Sequence, residues 1–198
     1  MSPTRRLVFS ALASLLVSAP LAAQAQQKLV PAQSSITFTT KQMGSPVDGS
    51  FRKFDAQVAF DPKRVDAARI AFTVDLASVS FGAAETEAEV AKPDWFNTKA
   101  FPQASFQSSS IKALGGGKFE VRGQLGIKGA TKEIVVPVTL TQSGAITTAT
   151  GALTLKRLEY RIGDGDWKDT SMVADDVQVR EEVVEIHLAT ASRERRRG

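Results

Sequence analysis

Between Lys118 and Leu140 two runs of alternating apolar and polar residues meet at a glycine. Phe119, Val121, Leu125 and Ile127 share one parity, with Gly123 among them, while Glu120, Arg122, Gln124 and Lys128 take the other. A period of two marks a strand with one apolar face. The return run sets Ile134, Val136, Val138 and Leu140 on one face, and residues 128–132 between the runs form the turn, with Gly129 free to take a positive φ. The pair predicts an antiparallel hairpin whose strands, at about ten residues each, reach roughly 33 Å. That length suits the wall of a deep barrel or sandwich.

The same period recurs along the chain. Residues 34–41 alternate with Ile36 and Phe38 on one side, and residues 69–76 place Ile70, Phe72, Val74 and Leu76 on one face. Residues 47–60 change phase: Val47, Gly49 and Phe51 fit one parity, Phe54, Ala56, Val58 and Phe60 the other. A bulge near Arg52-Lys53 reconciles the two and bends the strand. Further strands are predicted over 104–114, 147–159 and 175–189, with a second bulge near Glu181-Glu182, where Val177 and Val179 fall out of phase with Val184, Ile186 and Leu188. A final strand paired back onto the sheet would close it. Only residues 83–92 read as a helix, stopped by Pro93 and followed by the aromatic turn Asp94-Trp95-Phe96-Asn97. The turn spacing predicts an all-β sandwich or barrel.

Composition adds the setting. Arg5 and Arg6, an apolar run from Leu7 to Leu21 and then Ala23-Gln24-Ala25 read as a secretory signal over residues 1–25, cleaved after Ala25. The chain has no cysteine, so disulfides, thiolate metal sites and a cysteine nucleophile are excluded. An exported chain of this kind points to the periplasm, with full secretion second. The formal charge of +4 falls to +2 without Arg5 and Arg6, and the basic tail at 192–198 carries more than that excess. The high pI is an end effect and no argument for nucleic acid; the tail reads as a solvated, disordered end. The domain itself is expected over residues 26–191.

The succession Phe51-Arg52-Lys53-Phe54-Asp55, Val58-Ala59-Phe60-Asp61, Asp94-Trp95-Phe96 and Phe101-Pro102 resembles the YceI-like family. So do Ala104-Ser105-Phe106-Gln107-Ser108, the turn from Gly123 to Gly129, and Leu155-Lys156-Arg157. The resemblance implies a lipocalin-like antiparallel barrel of eight strands with one short helix near residues 83–92. It implies a periplasmic protein holding a long isoprenoid, a quinone or a prenyl phosphate, in its lumen. Two departures stand out: a His-x-Gly pattern near the first strand is replaced by Gln42-Met43-Gly44, and an Arg-Asp before the helix by Glu85-Thr86-Glu87.

Without the leader the chain keeps ten phenylalanines and one tyrosine. A wall so poor in hydrogen-bonding groups suits a ligand with no polar atoms along its tail, bound by burial at about 25 cal/mol per Å². The expected tail-binding residues are Phe38, Phe51, Phe60, Phe72, Val74 and Phe106 on the earlier strands. Phe119, Val121, Leu125, Val136 and Val138 follow on the central hairpin, and Trp95 and Phe96 close one end. Arg52, Lys128, Lys132 and Arg157 are candidates for a headgroup. No catalytic residue, metal ligand or cofactor is expected: His187 is the one histidine, and a hydrolytic triad or a zinc site needs more. The partners implied are an isoprenoid lipid and, transiently, the membrane or a membrane redox protein. Oligomeric state is left open, a dimer being one reading. The alternative function is an interaction module with a filled core, serving a membrane redox or stress complex.

Overall fold

In a computed structural model of the chain, the structure describes residues 26–61 and 64–188, with backbone only at 26–28 and 186–188. The expected signal segment, the basic tail and the side chain of His187 lie outside the described residues. Among the described residues the alternating runs become eleven strands. The first six are β1 (Gln26–Leu29), β2 (Ser35–Gln42), β3 (Ser45–Phe51), β4 (Phe54–Ala59), β5 (Arg69–Asp75) and β6 (Val79–Ser80). After the helix α1 (Ala84–Val90) come β7 (Gln103–Gly115), β8 (Lys118–Ile127), β9 (Ala130–Ser143), β10 (Ile146–Lys156) and β11 (Asp176–Leu188). Every described pairing is antiparallel.

The central hairpin is β8–β9, in register from Lys118↔Thr139 to Ile127↔Ala130. Its turn is tighter than the five residues read from the sequence. Lys128 (φ 48) and Gly129 (φ 74) alone make it, both left-handed, the geometry that matches the twist of the flanking strands. Ala130, Thr131 and Lys132 already belong to β9.

The sheet curls until its ends meet. Its path begins β4–β5 and ends β3–β6, yet β3 runs into β4, and β5 into β6, through a few residues each. The phase change at Arg52-Lys53 is where this happens. Phe51 pairs with Ile36 and Val79, whereas Phe54, after the break, pairs with Val74. The Arg52 N–H donates to the Ser78 carbonyl and the Asp75 N–H to that of Lys53, stitching the corner. With β3–β4 and β5–β6 each counted as one bent strand and β1 set aside, the eleven strands reduce to a ring of eight.

The second expected bulge is absent. The β10–β11 register runs unbroken from Ile146↔Ile186 to Lys156↔Asp176. Val183, Val184 and Glu185 are all buried, because β1 pairs alongside the strand and Ser34 bonds the Val184 backbone. The apparent phase change therefore records burial of both faces. The register shifts lie instead in β7, between Ser108 and Ser110 and between Ala113 and Gly115.

Two apolar clusters cap the barrel. Leu76, Ala104, Ile127 and Tyr160 are buried at one end, with Phe51, Phe96, Leu155 and Ile162 against them. Residues 81–102 and 157–175 cover this capped end. At the opposite end Ala68, Ile111 and Val121 are packed by Phe60, Ile70, Phe106, Phe119 and Val138.

Candidate functional site

Between the two clusters the inward faces of the strands enclose a cavity of about 220 Å³. Its wall extends from Arg157 and Val173 at the capped end to Phe106 and Val138 near the other, so the space is long and slender. Eleven of the thirteen expected tail-binding residues line it: Phe38, Phe51, Phe72, Val74, Trp95, Phe96, Phe106, Val121, Leu125, Val136 and Val138. The other two, Phe60 and Phe119, are not on the wall. They meet edge to face, ring centres 5.2 Å apart and planes at 89°, as part of the closure of the opposite end. Both sit at strand ends, where alternation gives the direction of a side chain but not its height along the barrel.

The lumen also uses Ile36, Ile70, Leu153, Leu155, Val177 and Val179. Their parity was available in the sequence, and alternation alone would have found them. Glycines keep the wall thin. A Cβ on Gly49 would lie 2.3 Å from the Phe38 ring, so the ring lies flat across the neighbouring strand because nothing stands beneath it.

Gly151 repeats the device with a different occupant. Its missing Cβ leaves room for the Glu181 carboxyl, whose Oε1 would be 2.5 Å away. Glu181 thus lies on the lumen wall, on the same face as Val177 and Val179. Burial raises its pKa to about 7, and no ion pair among the described residues offsets this. Glu185, further along β11, is likewise raised to about 7 by burial. Glu181 was not legible as an inward group, since its Glu-Glu pair with Glu182 reads as solvated in a strand.

The four basic candidates have four different surroundings. Arg157, 3 % exposed, is on the lumen wall, but all five of its N–H donors are used. Nε donates to the carbonyl of Ala174, Nη1 to Ile162 and Gly163, and Nη2 to Trp167 and Val173. Its guanidinium carbon also lies 5.9 Å from the centre of the Trp95 ring. Lys128, equally buried, donates to the carbonyls of Asp94 and Arg161 and sits 3.7 Å from the Asp164 carboxylate. Burial lowers its pKa, and Asp164 pulls it back. These two cations stitch together the segments that cover the capped end. Lys128 holds φ 48 with its side chain anchored to the Asp94 and Arg161 segments. Arg52 is exposed and bonds Ser80 beside the Glu87 carboxylate. Glu87 accepts from the Ser80 hydroxyl and the Phe81 N–H, and the Ser80 bond, more than any other contact, holds its carboxyl below the usual range. Lys132 is exposed on β9.

Among the described residues three side-chain polar atoms are buried without a hydrogen-bond partner: Thr40 Oγ1, Trp95 Nε1 and Tyr160 OH. All three residues line the lumen. Burial pushes the Tyr160 phenol up to about 12, with the Glu159 charge adding to it, so it keeps its proton and remains a donor. Among the described residues no three His, Asp or Glu side chains are grouped to hold a metal ion.

Comparisons with known proteins follow the same outline. The chain is 32% identical over 136 residues to a UPF0312 protein of Shewanella baltica, covering 67% of this chain and 71% of that one. The crystal structure of Burkholderia cenocepacia BcnA superposes with a TM-score of 0.77 at 43% identity, over 82% of this chain and all of that one. A polyisoprenoid-binding domain from Saccharophagus degradans shares the fold at 15% identity, with a TM-score of 0.68 over 82% of this chain and 98% of that one. The YceI-like domain model matches residues 27–184, and with the curled antiparallel sheet around one apolar lumen this makes the chain a member of the YceI-like family.

Proposed function

We propose that the protein is a non-catalytic carrier or store for a long isoprenoid lipid, working in the periplasm. The observation that carries this is the lumen: a slender cavity walled by Phe, Val, Leu and Ile, with one cation whose donors are all engaged. Such a wall offers a prenyl chain about 0.8 kcal/mol for each methylene-sized group taken from water. It offers little to a polar substrate. The polyisoprenoid-binding neighbour supports the same ligand class. A filled core would have favoured the interaction module; the continuous cavity favours a cargo. Export rests on the signal-like leader, whose expected cleavage point directly precedes β1 at Gln26.

The test is solvent extraction and mass spectrometry of protein purified without detergent from its own compartment. A stoichiometric isoprenoid is expected. Phe72→Asp, which places a charge on the wall, should abolish retention while circular dichroism stays that of a β-protein. An empty protein that also refuses added prenyl lipids would sink the proposal.

A further inference from the structure

If the lumen holds an isoprenoid tail, its polar groups specify the head. We propose that Tyr160, Trp95 and Thr40 form an oxygen-recognising subsite in the lumen, which selects an uncharged quinone, phenol or alcohol headgroup over a prenyl phosphate. This rests on the isoprenoid reading above and narrows it.

Trp95 Nε1, Tyr160 OH and Thr40 Oγ1 are each buried and unpartnered, and Tyr160 is only 1 % exposed. A buried donor without a partner costs about 1–3 kcal/mol, and all three groups belong to residues that line the same lumen. An indole N–H can only donate, which requires an acceptor on the ligand. The phenol and the threonine hydroxyl can serve the same acceptor or a neighbouring hydroxyl.

A phosphate is also an acceptor, and the surrounding charges decide against it. Arg157, the one cation on the wall, has no N–H left, and the Lys128 ammonium is held by two carbonyls beside Asp164. The one other ionisable group on the wall besides Tyr160 and Arg157 is Glu181, an acid. Moving a phosphate charge into this apolar space would strip its water with no free cation in return. A quinone carbonyl or a hydroxyl asks only for hydrogen bonds, and three groups stand ready to make them.

Four probes with the same tail of four isoprene units separate the possibilities: a prenylated benzoquinone, the prenol, the prenyl monophosphate and the bare hydrocarbon. Each is titrated into delipidated full-length protein and read by native mass spectrometry. The quinone and prenol should bind at least tenfold tighter than the monophosphate. Tyr160→Phe, alone and with Thr40→Val, should cut their advantage over the hydrocarbon several-fold and leave the hydrocarbon itself unchanged. Trp95→Phe should act in the same direction. A monophosphate that binds as tightly as the quinone overturns the subsite. So does an equal loss for all four probes in the variants, because the three residues would then be packing alone. Tight binding of the hydrocarbon with no preference among heads would overturn the subsite and leave the carrier reading standing. Refusal of all four by the wild type would remove both.

Discussion

At one end of the barrel Phe60 meets Phe119 edge to face over Ala68 and Ile111. At the other, Arg157 gathers five carbonyls from residues 162–174 beneath a loop that covers Tyr160. The first closure is made by strand ends and short turns carrying apolar side chains, and needs only burial. The second is irregular backbone, whose carbonyls have no sheet partner. Buried carbonyls must be satisfied, and one planar guanidinium with five fixed donors does this more completely than water could in so tight a space. The difference teaches why a barrel with an apolar lumen still carries a buried cation: the charge serves the lid.

Breaking the lid should cost most. Arg157→Met removes the cation and leaves five carbonyls unbonded, and the expected loss is about 3–5 kcal/mol, read as a lower urea midpoint and faster proteolysis within residues 157–175. Arg157→Lys should recover only a minor part, since an ammonium has three donors and no plane. A midpoint unchanged in both would refute the account of the capped end.

Phe119→Ala tests the opposite closure. The ring is only partly buried, so the loss should be about 2 kcal/mol, below the usual range for a fully buried phenylalanine, with proteolysis of residues 157–175 unaffected. If that loop opens as well, the two ends are not independent.

Strand β11, between the ends, carries a pH signature. Glu181 and Glu185 have pKa values raised to about 7 by burial, so the folded protein binds their protons more tightly than the unfolded chain does. Stability from these groups is therefore greatest below about pH 4.5 and is lost as pH rises through about 7. Glu181→Gln should flatten part of that decline, gaining about 1–3 kcal/mol at pH 8 relative to wild type and little at pH 4.5. Parallel urea titrations at the two pH values decide it, and a gain equal at both would mean that Glu181 does not titrate in this range.

Smallest of all should be Lys132→Ala. This residue is exposed on β9, and a shift within about 0.5 kcal/mol is expected, with lipid content unchanged. A loss of bound lipid would return Lys132 to the headgroup site.

The central hairpin and most of the lumen face were readable from residue parity, and the bend at Arg52-Lys53 showed as a phase change. Phe60 and Phe119 were assigned the right face and the wrong height, because a period of two says nothing about where along the barrel a residue stops. Glu181 was hidden for another reason. Its inward direction depends on the unbroken pairing of β10 with β11, and its place depends on the missing side chain of Gly151 across the pair.

The sequence by itself determined an all-β chain with alternating faces, one short helix and a lumen-facing set of aromatic and branched residues, since local periodicity is written residue by residue. Only the tertiary structure decided which charges leave water. Arg157 and Lys128 are buried because residues 93–102 and 157–175, distant in sequence, close over the same end and bring carbonyls that no strand can pair.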